Sequence, residues 1–186
     1  MVDIRNTTTT SSTSSHPGMV TGLFRDRDSA ERAYQAVTER GYGRDDVNLI
    51  MSDDTRKRHF SSGDATRTEL GTKAAEGAGV GAGIGGTLGA IAAAIAAVGT
   101  SIAIPGLGIV VAGPLAAALA GAGAGGLTGG LLGALVGAGI PEERVKHYES
   151  GIKEGGILMG VKPRSREDAE YLGQAWRQSN GEQVYS

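Results

Sequence analysis

The sequence predicts an α+β protein, a ferredoxin-like split βαβ sandwich interrupted by a long Gly/Ala-rich antiparallel helical hairpin. Three observations lead there. Patterns of strand and helix run β-α-β before residue 53 and α-β-α-β after residue 140. Between them no Asp, Glu, Lys or Arg occurs from Gly77 to Pro141, a run of 65 positions, although the chain carries 18 Lys+Arg and 20 Asp+Glu. That same run holds 20 of the 32 glycines in the 186-residue chain.

These numbers also exclude several classes. A chain without cysteine is not a disulfide scaffold. Glycines without a three-residue period are not collagen. An isoelectric point near 5.9 gives no electrostatic case for nucleic-acid binding.

Residues 1–17 are Ser/Thr-rich, cannot bury enough apolar surface to offset their ordering entropy, and read as a disordered tail. They lack the apolar core of a secretory signal, which leaves both chain ends in the cytoplasm. Residues 18–52 form the first half of the sandwich. Val20–Phe24 is a strand, Asp28 with Glu31 marks a helix start, Ala30, Ala33, Tyr34 and Val37 share one helix face, and Gly41 stops it. Val47–Met51 is apolar enough to lie inside a sheet. Residues 53–73 read as a polar linker whose basic cluster, Arg56, Lys57 and Arg58, is either a solvated loop or a contact for anionic lipid headgroups.

Residues 74–140 form the hairpin. Gly77, Gly81, Gly85 and Gly89 recur every fourth residue, and so do Gly121, Gly125, Gly129, Gly133 and Gly137. That spacing aligns them on one helix face, where missing side chains let another backbone come close. The two rows are mirror images about Pro105: Gly77 answers Gly133, Gly81 answers Gly129, Gly85 answers Gly125 and Gly89 answers Gly121. Pro105-Gly106 is therefore the expected tip, with arms Gly77–Val98 and Pro114–Ala138. At ~1.5 Å per residue each arm is about 33–38 Å long, enough for a bilayer's hydrocarbon core. Glycine costs roughly 0.8–1 kcal/mol per position in a water-exposed helix, so an isolated arm needs rescue by lipid or by close protein packing. A membrane-inserted hairpin, a homo-oligomer sealed through the glycine faces, and a hairpin buried in a larger globule all remain open.

Residues 141–186 complete the sandwich. Pro141 opens a helix carrying Val145, Tyr148 and Ile152, with Glu142 and Glu143 complementing its dipole. Ile157–Val161 is a strand, Ser165 with Asp168 opens a helix carrying Ala169, Leu172, Ala175 and Trp176, Asn180-Gly181 closes it, and Gln183–Tyr185 is a short edge strand. The helix from Arg27 to Val37 and that from Arg166 to Trp176 match at five of eleven positions.

Apparent chemical motifs fail their context. Gly81–Gly86 and Gly121–Gly126 fit GxGxxG, yet the first lies in an expected helix and no acid follows until Glu142. His16, His59 and His147 lack metal-ligand spacing. No cysteine nucleophile or serine elbow occurs. The reading is therefore non-enzymatic, without catalytic, metal or cofactor-binding residues.

Two segments carry a family resemblance. Ile104-Pro-Gly-Leu-Gly-Ile-Val-Val-Ala-Gly-Pro-Leu-Ala-Ala117, followed by Gly137-Ala-Gly-Ile-Pro-Glu-Glu143, Tyr148 and Lys153-Glu-Gly-Gly-Ile-Leu158, resembles bacterial general-stress and low-temperature-induced proteins. Val20-Thr-Gly-Leu-Phe24 with Val47-Asn-Leu-Ile-Met51 is similar to their heat-induced (YflT-like) domain. The resemblance implies a non-enzymatic stress-response protein. With the hairpin it gives the expected function: association with the cytoplasmic membrane, with copies of itself, or with both. Lys73, Arg144 and Lys146 flank the hairpin, which suits two passes with both ends inside. The alternatives are a soluble assembly in the cytoplasm and a small-ligand regulatory module. The expected partners are a second copy and a lipid bilayer, with no nucleic acid and no known small-molecule ligand.

Overall fold

The computed structural model describes residues 18–60, 101–104, 108–121, 130–137 and 140–186. Its elements are β1 (Val20–Phe24), α1 (Arg27–Glu39), a 3-10 turn (Arg44–Asp46), β2 (Val47–Ser52), α2 (Asp53–Phe60), β3 (Ser101–Ile104), β4 (Ile109–Ala112), α3 (Pro114–Gly121), α4 (Gly130–Gly137), α5 (Glu142–Lys153), β5 (Ile157–Val161), α6 (Arg166–Gln178) and β6 (Glu182–Tyr185). The protein is α+β. Its six strands make one antiparallel sheet in the order β3-β4-β2-β5-β1-β6.

β5 is central because it has partners on both sides. Val161 stands opposite both Val20 and Val47, and Ile157 opposite both Phe24 and Met51. Period-two alternation divides the apolar residues between two cores. Phe24, Leu49, Met51, Ile157 and Met159 lie with Ala30, Ala33, Val37, Leu172 and Trp176 of α1 and α6. Leu23, Ile50, Val111 and Leu158 lie with Leu115, Leu119, Leu135, Val145, Tyr148 and Ile152 of α3, α4 and α5. The sheet thus separates two helical layers.

The two matching helices pack together and share their boundary chemistry. Asp26 caps α1 by accepting the Ser29 N–H (2.8 Å), and Ser165 caps α6 by accepting the Asp168 N–H (3.0 Å). The α1 cap is thus Asp26, two residues before the expected Asp28, because only the extended residue at 26 can turn its carboxylate onto Ser29. Both helices end in a Schellman closure. Gly41 (φ +79°) carries the left-handed residue after α1, and Tyr42 N–H reaches Val37 O (3.2 Å). Asn180 (φ +61°) does the same after α6, and Gly181 N–H reaches Trp176 O (2.8 Å). Trp176 also donates from Nε1 to Ala33 O (3.1 Å) and meets Phe24 edge to face.

Two expectations are corrected. Residues 53–60 are a helix, not a linker: Ser52 Oγ accepts the Thr55 N–H (3.1 Å), while Thr55 and Phe60 are buried. Two inward residues suffice because Asp53 and Asp54 sit at its positive end and Lys57, Arg58 and His59 at its negative one. The flanks of the expected helical tip are strands, with Ile104 opposite Ile109 and Ser101 opposite Ala112. β-Branched Ile102, Ile104, Ile109, Val110 and Val111 favour the extended chain, and β2 offers an edge on which β4 completes its pairing. The tail 1–17, residues 61–73 of the expected linker, the first arm Gly77–Val98 and the tip pair Pro105-Gly106 lie outside the described residues.

Candidate functional site

The described part of the glycine-rich segment returns to the domain through α3 and α4, and its attachment is built from polar chemistry beneath an apolar surface. Asn48, buried in β2 between Val47 and Leu49, accepts the Leu115 N–H at Oδ1 (2.8 Å) and donates from Nδ2 to Gly160 O (3.3 Å). One side chain thereby satisfies a first-turn donor of α3 and ties that helix to two strands. Gly113 makes the approach feasible. Its φ is +97°, and a Cβ there would collide with the backbone carbonyl of Val47. Pro114 then occupies the first helical position, as its spacing predicts.

α3 buries Leu115, Ala116 and Leu119 and exposes Ala117 and Ala118. Gly121, the last residue of α3, follows Ala117 by about one turn. α4 buries Leu135 against the α5 core, while Gly133, Val136 and Gly137 are exposed, Val136 to 41%. A Cβ built on Gly133 or Gly137 has no described atom within 4 Å. Among the residues of these two helices whose burial is described, the exposed ones are Pro114, Ala117, Ala118, Gly133, Val136 and Gly137, none of them charged. Gly77, Gly81, Gly85, Gly89, Gly125 and Gly129 lie outside the described residues, so Gly121, Gly133 and Gly137 are the members of the two rows placed here.

Beneath α4, α5 is pinned to the sheet by Tyr148, which is fully buried. Its phenol donates to Gln183 O (2.9 Å) on β6 and accepts from Thr21 Oγ1 (2.8 Å) on β1. Burial pushes the phenol up to about 12, against the opposing pull of Thr21. The Arg144 guanidinium lies 3.9 Å from the centre of the Tyr185 ring, which meets Tyr148 edge to face.

The basic cluster is largely occupied. Lys57 Nζ lies 2.6 Å and Arg56 Nη2 3.0 Å from Asp53, and Lys57, then Arg56, hold that carboxyl below its usual range. Arg58 donates to Asp54 O (3.3 Å). A second polar network among the described residues joins α1 and α6. Tyr42 donates to Asp168 (2.7 Å) and accepts the Arg164 N–H (2.8 Å), while Arg40 donates to Asp168 (2.8 Å) and Glu167 (3.0 Å). These bonds join the C-terminal end of α1 to the N-terminal end of α6 as a clasp. Among the described residues no group of three His, Cys, Asp or Glu side chains is arranged to hold a metal ion. No described helix is long and apolar enough to cross a membrane.

Asn48 and Gly113 are the positioning residues that the sequence reading missed. A lone Asn inside VNLIM was the available signal, since a buried amide requires partners. No protein-family model, curated protein or solved structure matches the chain.

Proposed function

We propose that the chain is a non-enzymatic, self-associating protein of the bacterial general-stress type, in which a ferredoxin-like core displays a Gly/Ala-rich segment that packs against the same segment of other copies. The ferredoxin-like reading is supported by the strand order β2-β5-β1-β6, with α1 linking β1 to β2 and α6 linking β5 to β6 on one face. The β3–β4 hairpin, α2, α3, α4 and α5 then all belong to the expanded connection between β2 and β5.

The observation that carries self-association is that no described atom lies within 4 Å of a Cβ at Gly133 or Gly137. A glycine inside an exposed helix costs roughly 0.5–1 kcal/mol relative to alanine and is here required by no described neighbour. Close approach of a second backbone gives that cost a reason. Membrane association is the second reading, favoured by the wholly apolar α4 sequence GLLGALVG with Val136 exposed. Alanine and glycine gain little from hydrocarbon, which favours helix-on-helix contact.

The test is sedimentation of the full-length chain beside a Gly133→Leu/Gly137→Leu variant. A discrete particle larger than the monomer is expected, reduced in the variant while its circular dichroism is unchanged. The same particle size in both would overturn self-association through this face. Pelleting with vesicles that resists alkaline carbonate would install the membrane reading instead.

A further inference from the structure

We infer that Asn180-Gly181 is a self-modifying site that deamidates through a cyclic imide, at a rate set by the opening of the C-terminal strand β6. The reaction needs only water. The Gly181 backbone nitrogen, having given up its proton to solvent, attacks Cγ of Asn180. A C–N bond forms, the Cγ–Nδ2 bond breaks, and ammonia leaves after taking up a proton. Water then opens the five-membered ring at one of two carbonyls, giving either an aspartate or an isoaspartate at position 180. A following glycine is the most permissive neighbour because no Cβ shields its nitrogen.

The fold supplies the gate. Asn180 is exposed and left-handed, so its side chain is open to solvent. The attacking nitrogen is not free, however, since Gly181 N–H donates to Trp176 O (2.8 Å) and Asn180 N–H to Arg177 O (3.2 Å). Ring closure requires the Gly181 amide to leave that bond and rotate toward Cγ, and this unwinds the closure of α6.

The segment that must move with it is β6. It is an edge strand with one partner, its register to β1 shifts between Thr21 and Leu23, and Gln183 sits at φ +49°. Side-chain ties hold it: Arg25 to Glu182 (2.9 Å), Tyr148 to Gln183 O (2.9 Å) and Arg177 to Val184 O (3.3 Å).

The product feeds back on the same strand. An isoaspartate routes the main chain through an extra methylene, immediately before a glycine with no slack. A Cβ on Gly181 would already lie 2.7 Å from Trp176 O and 2.8 Å from Val184 Cγ2. The isoaspartate form therefore releases β6 and leaves the β1 edge uncovered.

The related helix α1 uses Gly41 at the equivalent place and has no such chemistry, so the site is peculiar to the C-terminal half. The experiment incubates the full chain at neutral pH and 37 °C and follows position 180 by peptide mapping with fragmentation that separates isoaspartate from aspartate. Product should accumulate fastest in denaturant and slowest in the native protein. Tyr148→Phe should accelerate the native rate about fivefold, the factor one neutral hydrogen bond commands. Glu182→Ala, which touches only an exposed ion pair, should accelerate it by less than about threefold and serves if Tyr148→Phe fails to fold. Equal rates in native buffer and denaturant would overturn the gate, and no product in denaturant would overturn the site.

Discussion

Two sets of described glycines contrast, and the contrast locates where the described fold ends its own explanation. At Gly113, Gly151 and Gly156 the space for a Cβ is already taken, by Val47, by Leu23, and by Gly151 O (2.8 Å) with Leu23 Cδ1 (3.0 Å) respectively. These glycines let α3 and the α5–β5 turn settle against the sheet. At Gly133 and Gly137, on α4 directly above the same core, no described atom lies within 4 Å of a Cβ. The first group answers to packing within the chain. The second has no such cause among the described residues.

Gly113→Ala is the hardest test of the crowded group. It combines a left-handed φ with a clash against β2 backbone, which no rotamer change relieves. It should cost more than about 3 kcal/mol in denaturant titration and detach α3 from Asn48. A loss under about 1 kcal/mol would mean that β2 and α3 are not held as close as the closed space at Gly113 requires.

The sequence made much of this arrangement readable, and the failures have physical causes. β1 and β5 are short apolar runs bounded by turn residues, and their bounds match the reading residue for residue. α6 announces itself through Ser165, Asp168 and the Leu172–Trp176 face. α2 was hidden because six of its eight residues are charged or histidine, and its two inward residues set no period. β3 and β4 were hidden because an unbroken apolar run gives no contrast from which to read a period. Only their β-branched content distinguished them from the flanking Gly/Ala helix formers. The exposed glycines were readable as a row, whereas which side of α4 the row occupies depends on Leu135 and became visible only with the fold.

The crowded side can also be probed by pH, with a smaller effect. The Tyr148 phenol is buried and shifted from 10.0 to about 12. Below pH 10 the phenol is protonated in both folded and unfolded chains, and its contribution is complete. Between pH 10 and 12 the unfolded chain releases the proton while the folded one keeps it, so stability falls as pH rises. The shift corresponds to about 2–3 kcal/mol across that window. The measurement is the difference in slope between the wild type and Tyr148→Phe, which isolates this one phenol. Identical slopes would show that the phenol is more solvated than its burial implies.

The smallest expected effect has the opposite sign and bears on the open group. Gly133 sits inside α4, is exposed, and has no described atom within 4 Å of its Cβ position. Gly133→Ala adds a methyl without a clash and removes backbone freedom from the unfolded chain. In dilute protein, where association is weak, it should raise stability by roughly 0.5–1 kcal/mol in urea titration. At concentrations where copies associate, the gain should shrink or reverse, because the methyl then stands between two backbones. A stabilisation equal at all concentrations would mean that nothing approaches this face. A destabilisation in dilute protein would place a close neighbour over Gly133 within the chain itself, and the glycine would move from the open group to the crowded one.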